Sequence, residues 1–140
     1  MTLSGSPLSG EETEFVAAAR VGHLATTRTD GTPHVVPISP VLDLDRLVFA
    51  TETDTVKVRN IRNNPYVAVC FDEYDEDWSL LKQVLVYGAP YFIETGMEFV
   101  RDRNLLYEKF TQYEVSSPIE ESTSVIVEIE MERASTWGFG

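Results

Sequence analysis

Cysteine is nearly absent: the chain has one, Cys70, set in the apolar run Val67 to Phe71. An internal disulfide and a thiolate metal cluster are therefore excluded, and Cys70 reads as a small buried side chain. Basic residues are scarce too, since eleven Lys+Arg, only three of them lysine, stand against 23 Asp+Glu for a formal charge of −12. A surface of that sign repels phosphate backbones and anionic lipid, so neither nucleic acid nor a membrane surface is an expected partner. Such acidity occurs in salt-adapted proteins and in ordinary cytosolic ones. No apolar run approaches the roughly 18 residues of a membrane span, and the N-terminus lacks the basic-then-apolar layout of a secretory signal, so a cytoplasmic address is expected. Also missing are a glycine-rich phosphate loop, an HExxH pair, a CxxC and a GxSxG elbow, which removes several enzyme classes.

What is present is an ordinary globular composition, 43% hydrophobic and 24% charged over 140 residues. One domain of that length buries roughly two thirds of its extended-chain surface. Residues 1–10 are small and polar and expected to be flexible, leaving 11–140 as a single domain. Ser9 and Glu12 have capping-box spacing ahead of a helix over about 9–20. Two β-rich runs, 23–27 and 32–39, flank Asp30-Gly31, a hairpin dipeptide. A turn at Asp43-Leu44-Asp45 leads to a third strand, 46–51, expected beside the second. From Asp54 the period changes to about 3.6, with Val58 and Ile61 inward, until Asn63-Asn64-Pro65 ends a short helix. A fourth strand covers 66–71. Asp72 to Asp77, five carboxylates in six residues, reads as a solvated connection. A strand over 80–93, a helix over 97–113 and a last strand follow. In that last strand Val125, Val127, Ile129 and Met131 alternate with Glu128, Glu130 and Glu132, predicting one buried and one wet face. Six strands, all able to pair antiparallel, suggest a small closed barrel.

The histidines, His23 and His34, have no partner nearby in sequence and are poor catalytic candidates. The informative segment is Thr51 to Arg62, where Lys57, Arg59 and Arg62 concentrate three of the eleven basic residues. Thr55 and Lys57 fall in the first turn of the short helix, where free N–H groups and the dipole favour an anion and disfavour a cation standing alone. The competing reading has Asp54 cap the helix and the basic side chains pair with neighbouring acids. Trp137, beside Gly138 near the end of the sequence, could cover a planar ligand, meet a second subunit or pack on the barrel.

The segment Phe49 to Pro65, together with Asp30-Gly31-Thr32-Pro33, Lys82 to Gly88 and Trp137-Gly138, resembles the pyridoxamine 5′-phosphate oxidase-like family of flavin-binding proteins. The resemblance spans about residues 12–138. It implies a mainly β fold, a six-stranded antiparallel split β-barrel with Greek-key character and flanking short helices. It also implies a homodimer that holds FMN, or in one branch the deazaflavin coenzyme F-420, in a groove between two barrels. Carried over by position, Thr55 and Lys57 hold the cofactor phosphate, Ala50 and Thr51 line the strand beside it, and Val36, Pro37 and Ile38 pack on the isoalloxazine. Gln83 and Trp137 match flavin-touching positions from the second subunit. The sequence departs from true pyridoxamine-phosphate oxidases: Val36 to Val41 carries no basic residue, Val56 replaces a basic residue, and the sequence stops at Gly140 without the substrate-binding extension. The expected activity is hydride transfer between the flavin or deazaflavin and a small-molecule substrate, not oxidation of pyridoxamine phosphate. A flavin-storage module and an interaction domain with an empty groove are the non-catalytic alternatives.

Overall fold

The computed structural model describes residues 5–140, so the expected loose start at 1–4 lies outside the described residues. Order begins before residue 11, because Leu8 is buried in the main core and Ser9 caps the first helix, α1 (Gly10–Ala18). The capping box is present: Glu12 N–H donates to Ser9 Oγ at 3.2 Å, and Ser9 N–H donates to Glu12 Oε1 at 2.9 Å. Glu12 also accepts from Thr136 Oγ1 at 2.7 Å, which ties α1 to the far end of the chain.

Strands β1 (Gly22–Thr27) and β2 (Pro33–Ile38) form the expected hairpin, with Gly31 at φ 88° in a loop wider than a two-residue turn. Beyond it the sequence-based strand order needs correcting. Pro40 offers no N–H and ends the run, and the chain restarts as a three-residue strand, β3 (Val41–Asp43), paired with β4 (Arg46–Glu52). The sheet among the described residues thus has seven strands rather than six, in the order β2-β1-β5-β6-β7-β4-β3. Strand β4 lies between β3 and β7, not beside β2. The remaining members are β5 (Val67–Glu73), β6 (Lys82–Ile93) and β7 (Ser124–Trp137), all antiparallel. Inward-facing residues of β1, β2, β4, β5, β6 and β7 share one hydrophobic cluster, with Leu42 of β3 packed against it, so the sheet curls around its core.

A second cluster covers the outer face of β4 and β7, where Val48 and Ile126 meet Phe99, Leu106 and Phe110 under α3 (Gly96–Lys109). This overturns the expected wet face at Glu128, while Glu130 and Glu132 are exposed as expected. Residues 125–129 are buried on both sides, and Glu128 lies beneath α3 at 5% exposure. The expected helix over 97–113 is broken: α3 stops at Lys109, and a single turn, α4 (Tyr113–Ser116), follows. The acidic stretch also divides. Asp72 and Glu73 extend β5 opposite Gln83 and Lys82, while Asp77 caps a short 3-10 turn at Trp78–Leu80 through Ser79. Among the described residues no cluster of potential metal ligands occurs, and no helix is long and apolar enough to cross a membrane.

Two close approaches pin β6 and β7 together. A side chain at Gly88 would place its Cβ 2.2 Å from Glu130 O, and one at Gly138, already at φ 90°, would lie 2.1 Å from Leu81 O. Phe139 packs edge-on against Phe15 at 5.4 Å, which anchors the segment after β7 against the core.

Candidate functional site

Helix α2 (Val56–Asn63) follows β4 through Thr53-Asp54-Thr55 and turns Val58, Asn60 and Ile61 inward. Asn60 Nδ2 donates to Thr26 Oγ1 at 3.0 Å, locking α2 to β1. The N-cap is Thr55, not Asp54: Thr55 Oγ1 accepts from Val58 N–H at 3.4 Å. Thr51, at the end of β4, lies beside it, with the two hydroxyl oxygens 3.5 Å apart. Lys57 is the second helical residue, so its own N–H and that of Val56 have no acceptor within the helix.

The three basic residues separate sharply. Arg59 pairs with Asp54 at 3.1 Å, and Arg62 pairs with Glu94 at 3.6 Å while lying over the Phe92 ring. Both therefore follow the charge-balance reading. Lys57 has no ion-pair or hydrogen-bond partner among the described residues, and it is half-buried. Desolvation lowers its pKa below that of an ordinary lysine, opposed by the negative charge of Glu52. An ammonium partly withdrawn from water, at the positive end of a helix and without a counter-ion, is destabilised as it stands. The residues fit an anion supplied from outside: two threonine hydroxyls, unpaired N–H groups and the Lys57 ammonium share one end of β4 and α2.

Ala50 and Thr51 also border a cavity of about 160 Å³ whose far wall is Tyr113, Ser117 and Ile119. Sequence reasoning missed this wall because it ran α3 through to residue 113. The signal available was Ser117-Pro118, which ends helical pairing, and burial raises the Tyr113 phenol above its usual pKa. On β2 the side chains alternate: Ile38 is buried, Val36 packs against the main core, and Pro37 and Val35 face outward. Val36 and Ile38 are thus occupied by the core, and a ligand on the outer face of β2 would meet Pro37 and the backbone.

Gln83 and Trp137 are direct partners across β6 and β7, and Trp137 is 50% exposed. Within one chain they lie far from Lys57. Thr51 pairs with Val125, twelve residues before Trp137 on the same strand. That separation is on the order of 40 Å of extended strand. A single protomer therefore brings Ala50, Thr51, Thr55 and Lys57 together and leaves Gln83 and Trp137 at the other end of β7.

A curled antiparallel sheet flanked by short helices, one of which carries Lys57 in its first turn, defines a small, mainly β protein. A family model for pyridoxamine 5′-phosphate oxidase matches residues 8–138, and the chain belongs to that family. It is 30% identical over 95 residues to a 5a,11a-dehydrotetracycline/5a,11a-dehydrooxytetracycline reductase from Streptomyces rimosus, a match covering 64% of this chain and 67% of the relative. Among solved structures, a FAD-binding protein from Mesorhizobium loti superposes with a TM-score of 0.76 at 26% identity, covering 92% of this chain and 94% of the other. An F-420 reductase superposes with a TM-score of 0.73 at 25% identity, covering 91% and 98%. A conserved hypothetical protein from Mycobacterium tuberculosis, 22% identical with a TM-score of 0.78 and covering 96% and 87%, shares the fold.

Proposed function

We propose that this chain is a homodimeric oxidoreductase that binds FMN and transfers hydride to or from a small-molecule substrate. The observation that carries the reading is Lys57, the half-buried lysine at the start of α2 that has no partner among the described residues. Its ammonium, the adjacent N–H groups and the hydroxyls of Thr51 and Thr55 would hold the cofactor phosphate. Ala50 and Pro37 would border the ring system. Bound flavin supplies the hydride chemistry, so the protein needs no acid–base pair of its own. The chain's part is to fix the phosphate, orient the ring and keep water out. The FAD-binding and reductase relatives support this reading. The F-420 reductase neighbour supports a second one, in which the same lysine holds the phosphate of a deazaflavin. Side-by-side titration of FMN and coenzyme F-420 decides between them, and failure of both to bind would refute the oxidoreductase reading. Turnover with reduced cofactor then separates an enzyme from a storage module.

The twelve-residue separation along β7 supports the dimer, since Gln83 and Trp137 would reach a ligand at Lys57 only from a second copy. Light scattering is expected to give twice the 15.8 kDa chain mass, and a mass near 16 kDa at micromolar concentration would count against it. Trp137→Ala should weaken FMN binding by about two- to tenfold, the scale of one aromatic contact. This substitution is a cleaner probe than truncation, because Phe139 packs against the core and Gly138 lies tight against the Leu81 backbone.

No pyridoxal phosphate should form from pyridoxamine phosphate. The outward side chains of β2, Val35 and Pro37, are apolar and offer no cation to a second phosphate. Oxygen consumption on adding that substrate to the FMN-loaded protein would overturn this expectation.

A further inference from the structure

Beneath α3 lies a cluster of charges that the cofactor reading does not use. Arg46 of β4 donates to Asp43 Oδ2 at 2.9 Å and to Glu128 Oε1 at 2.5 Å. Arg101 of α3 donates to the same Asp43 oxygen at 2.6 Å and to Asp102 Oδ1 at 3.0 Å. Each guanidinium thus joins Asp43 to one deeper carboxyl group. Asp102 is fully buried and Glu128 nearly so. Their remaining oxygens, Asp102 Oδ2 and Glu128 Oε2, are buried without a hydrogen-bond partner among the described residues.

Two facts about this cluster converge. Ionised carboxylates only accept hydrogen bonds, so two buried, partnerless oxygens from neighbouring carboxyl groups cannot satisfy each other unless one carries hydrogen. Three carboxylates against two guanidinium groups also leave one uncompensated negative charge under a hydrophobic roof. One proton removes both problems. The other charged or titratable groups around it do not: Glu98 of α3 adds further negative charge, while Glu130 of β7 and Tyr91 of β6, opposite Glu128, are exposed.

We propose that Asp102 and Glu128 share a single proton between Asp102 Oδ2 and Glu128 Oε2, making a neutral latch that holds α3 to β4 and β7 and loosens when the proton leaves. The deprotonation is a simple release to solvent. Its consequence reaches the site wall, since the chain runs from α3 through Phe110 to Tyr113 and Ser117 beside Ala50 and Thr51. Burial first, and the Asp102 carboxyl second, push Glu128 up to about 7, with Arg46 opposing. In the unfolded chain a glutamate titrates at about 4.3. The folded value is raised, so the stabilisation is fully present below the unfolded value and is lost as pH rises through about 7.

The test uses the full chain and its Glu128→Gln variant, whose amide donates to Asp102 while its oxygen still accepts from Arg46, as the protonated acid does. Melting temperature is followed from pH 5 to 8.5. The wild type should fall relative to the variant across this range, by on the order of 5 °C. Parallel curves would overturn the proposal. Should the variant fail to fold, ¹³C carboxyl NMR of the wild type decides: a Glu128 step near pH 7 that also moves the Asp102 carboxyl signal is expected, and a Glu128 step below pH 5, or one that leaves the Asp102 signal unmoved, would refute it.

Discussion

Lys57→Ala should lower FMN affinity about ten- to a hundredfold, the loss of one charge-assisted phosphate contact of about 1.5–3 kcal/mol. The fold should survive. Lys57 makes no ion pair among the described residues, and a lone cation in the first turn opposes the helix dipole, so the ligand-free variant should melt at or slightly above the wild-type temperature. Arg59→Ala and Arg62→Ala serve as controls of equal charge change, and both should matter much less because Asp54 and Glu94 already engage those side chains. Riboflavin lacks the phosphate and should bind wild type and Lys57→Ala alike. Equal losses for FMN and riboflavin would make Lys57 structural and move the anion site elsewhere.

Gly88→Ala should be strongly destabilising. Its Cβ would lie 2.2 Å from Glu130 O and 2.9 Å from Ile129 Cγ2. Neither neighbour can yield cheaply, because β6 and β7 share eleven paired residues on both sides of the register shift at Tyr87 and Gly88. We expect a loss on the order of 3–5 kcal/mol, a large share of the roughly 5–15 kcal/mol that a domain of this size has in total. Urea denaturation measures it. Gly10→Ala, where the added Cβ meets nothing within 4 Å, should leave stability unchanged or slightly higher. If the two variants unfold at the same urea concentration, the close approach of β6 to β7 is not a constraint.

Much of this architecture was legible because it rests on local chemistry. The Ser9/Glu12 capping box, the hairpin around Gly31 and the helix ended by Asn63-Asn64-Pro65 each depend on residues within a few positions of one another. Lys57 was legible for a related reason: a basic residue in the first turn of a helix conflicts with the dipole whatever surrounds it. Strand β3 was not, because three residues between Pro40 and a turn carry too little periodicity to separate a strand from a loop. Glu128 misled for a different reason. Alternation along a strand reports two faces but not what covers the second one.

The sequence by itself determined most of the elements, the acidic character and the place of Lys57 in the first turn of α2, since each follows from neighbours in the chain or from net composition. Only the tertiary structure decided which of the basic residues are paired among the described residues. Arg46 and Arg101 are consumed by Asp43, Asp102 and Glu128, drawn from β3, α3 and β7, and Arg62 is consumed by Glu94. Long-range pairing also decided that Gln83 and Trp137 stand together yet far from Lys57. The physical reason is common to both. Charge compensation and proximity depend on what the folded chain brings within a few ångströms, and residues some eighty positions apart, such as Arg46 and Glu128, leave no mark of that meeting in their local sequence.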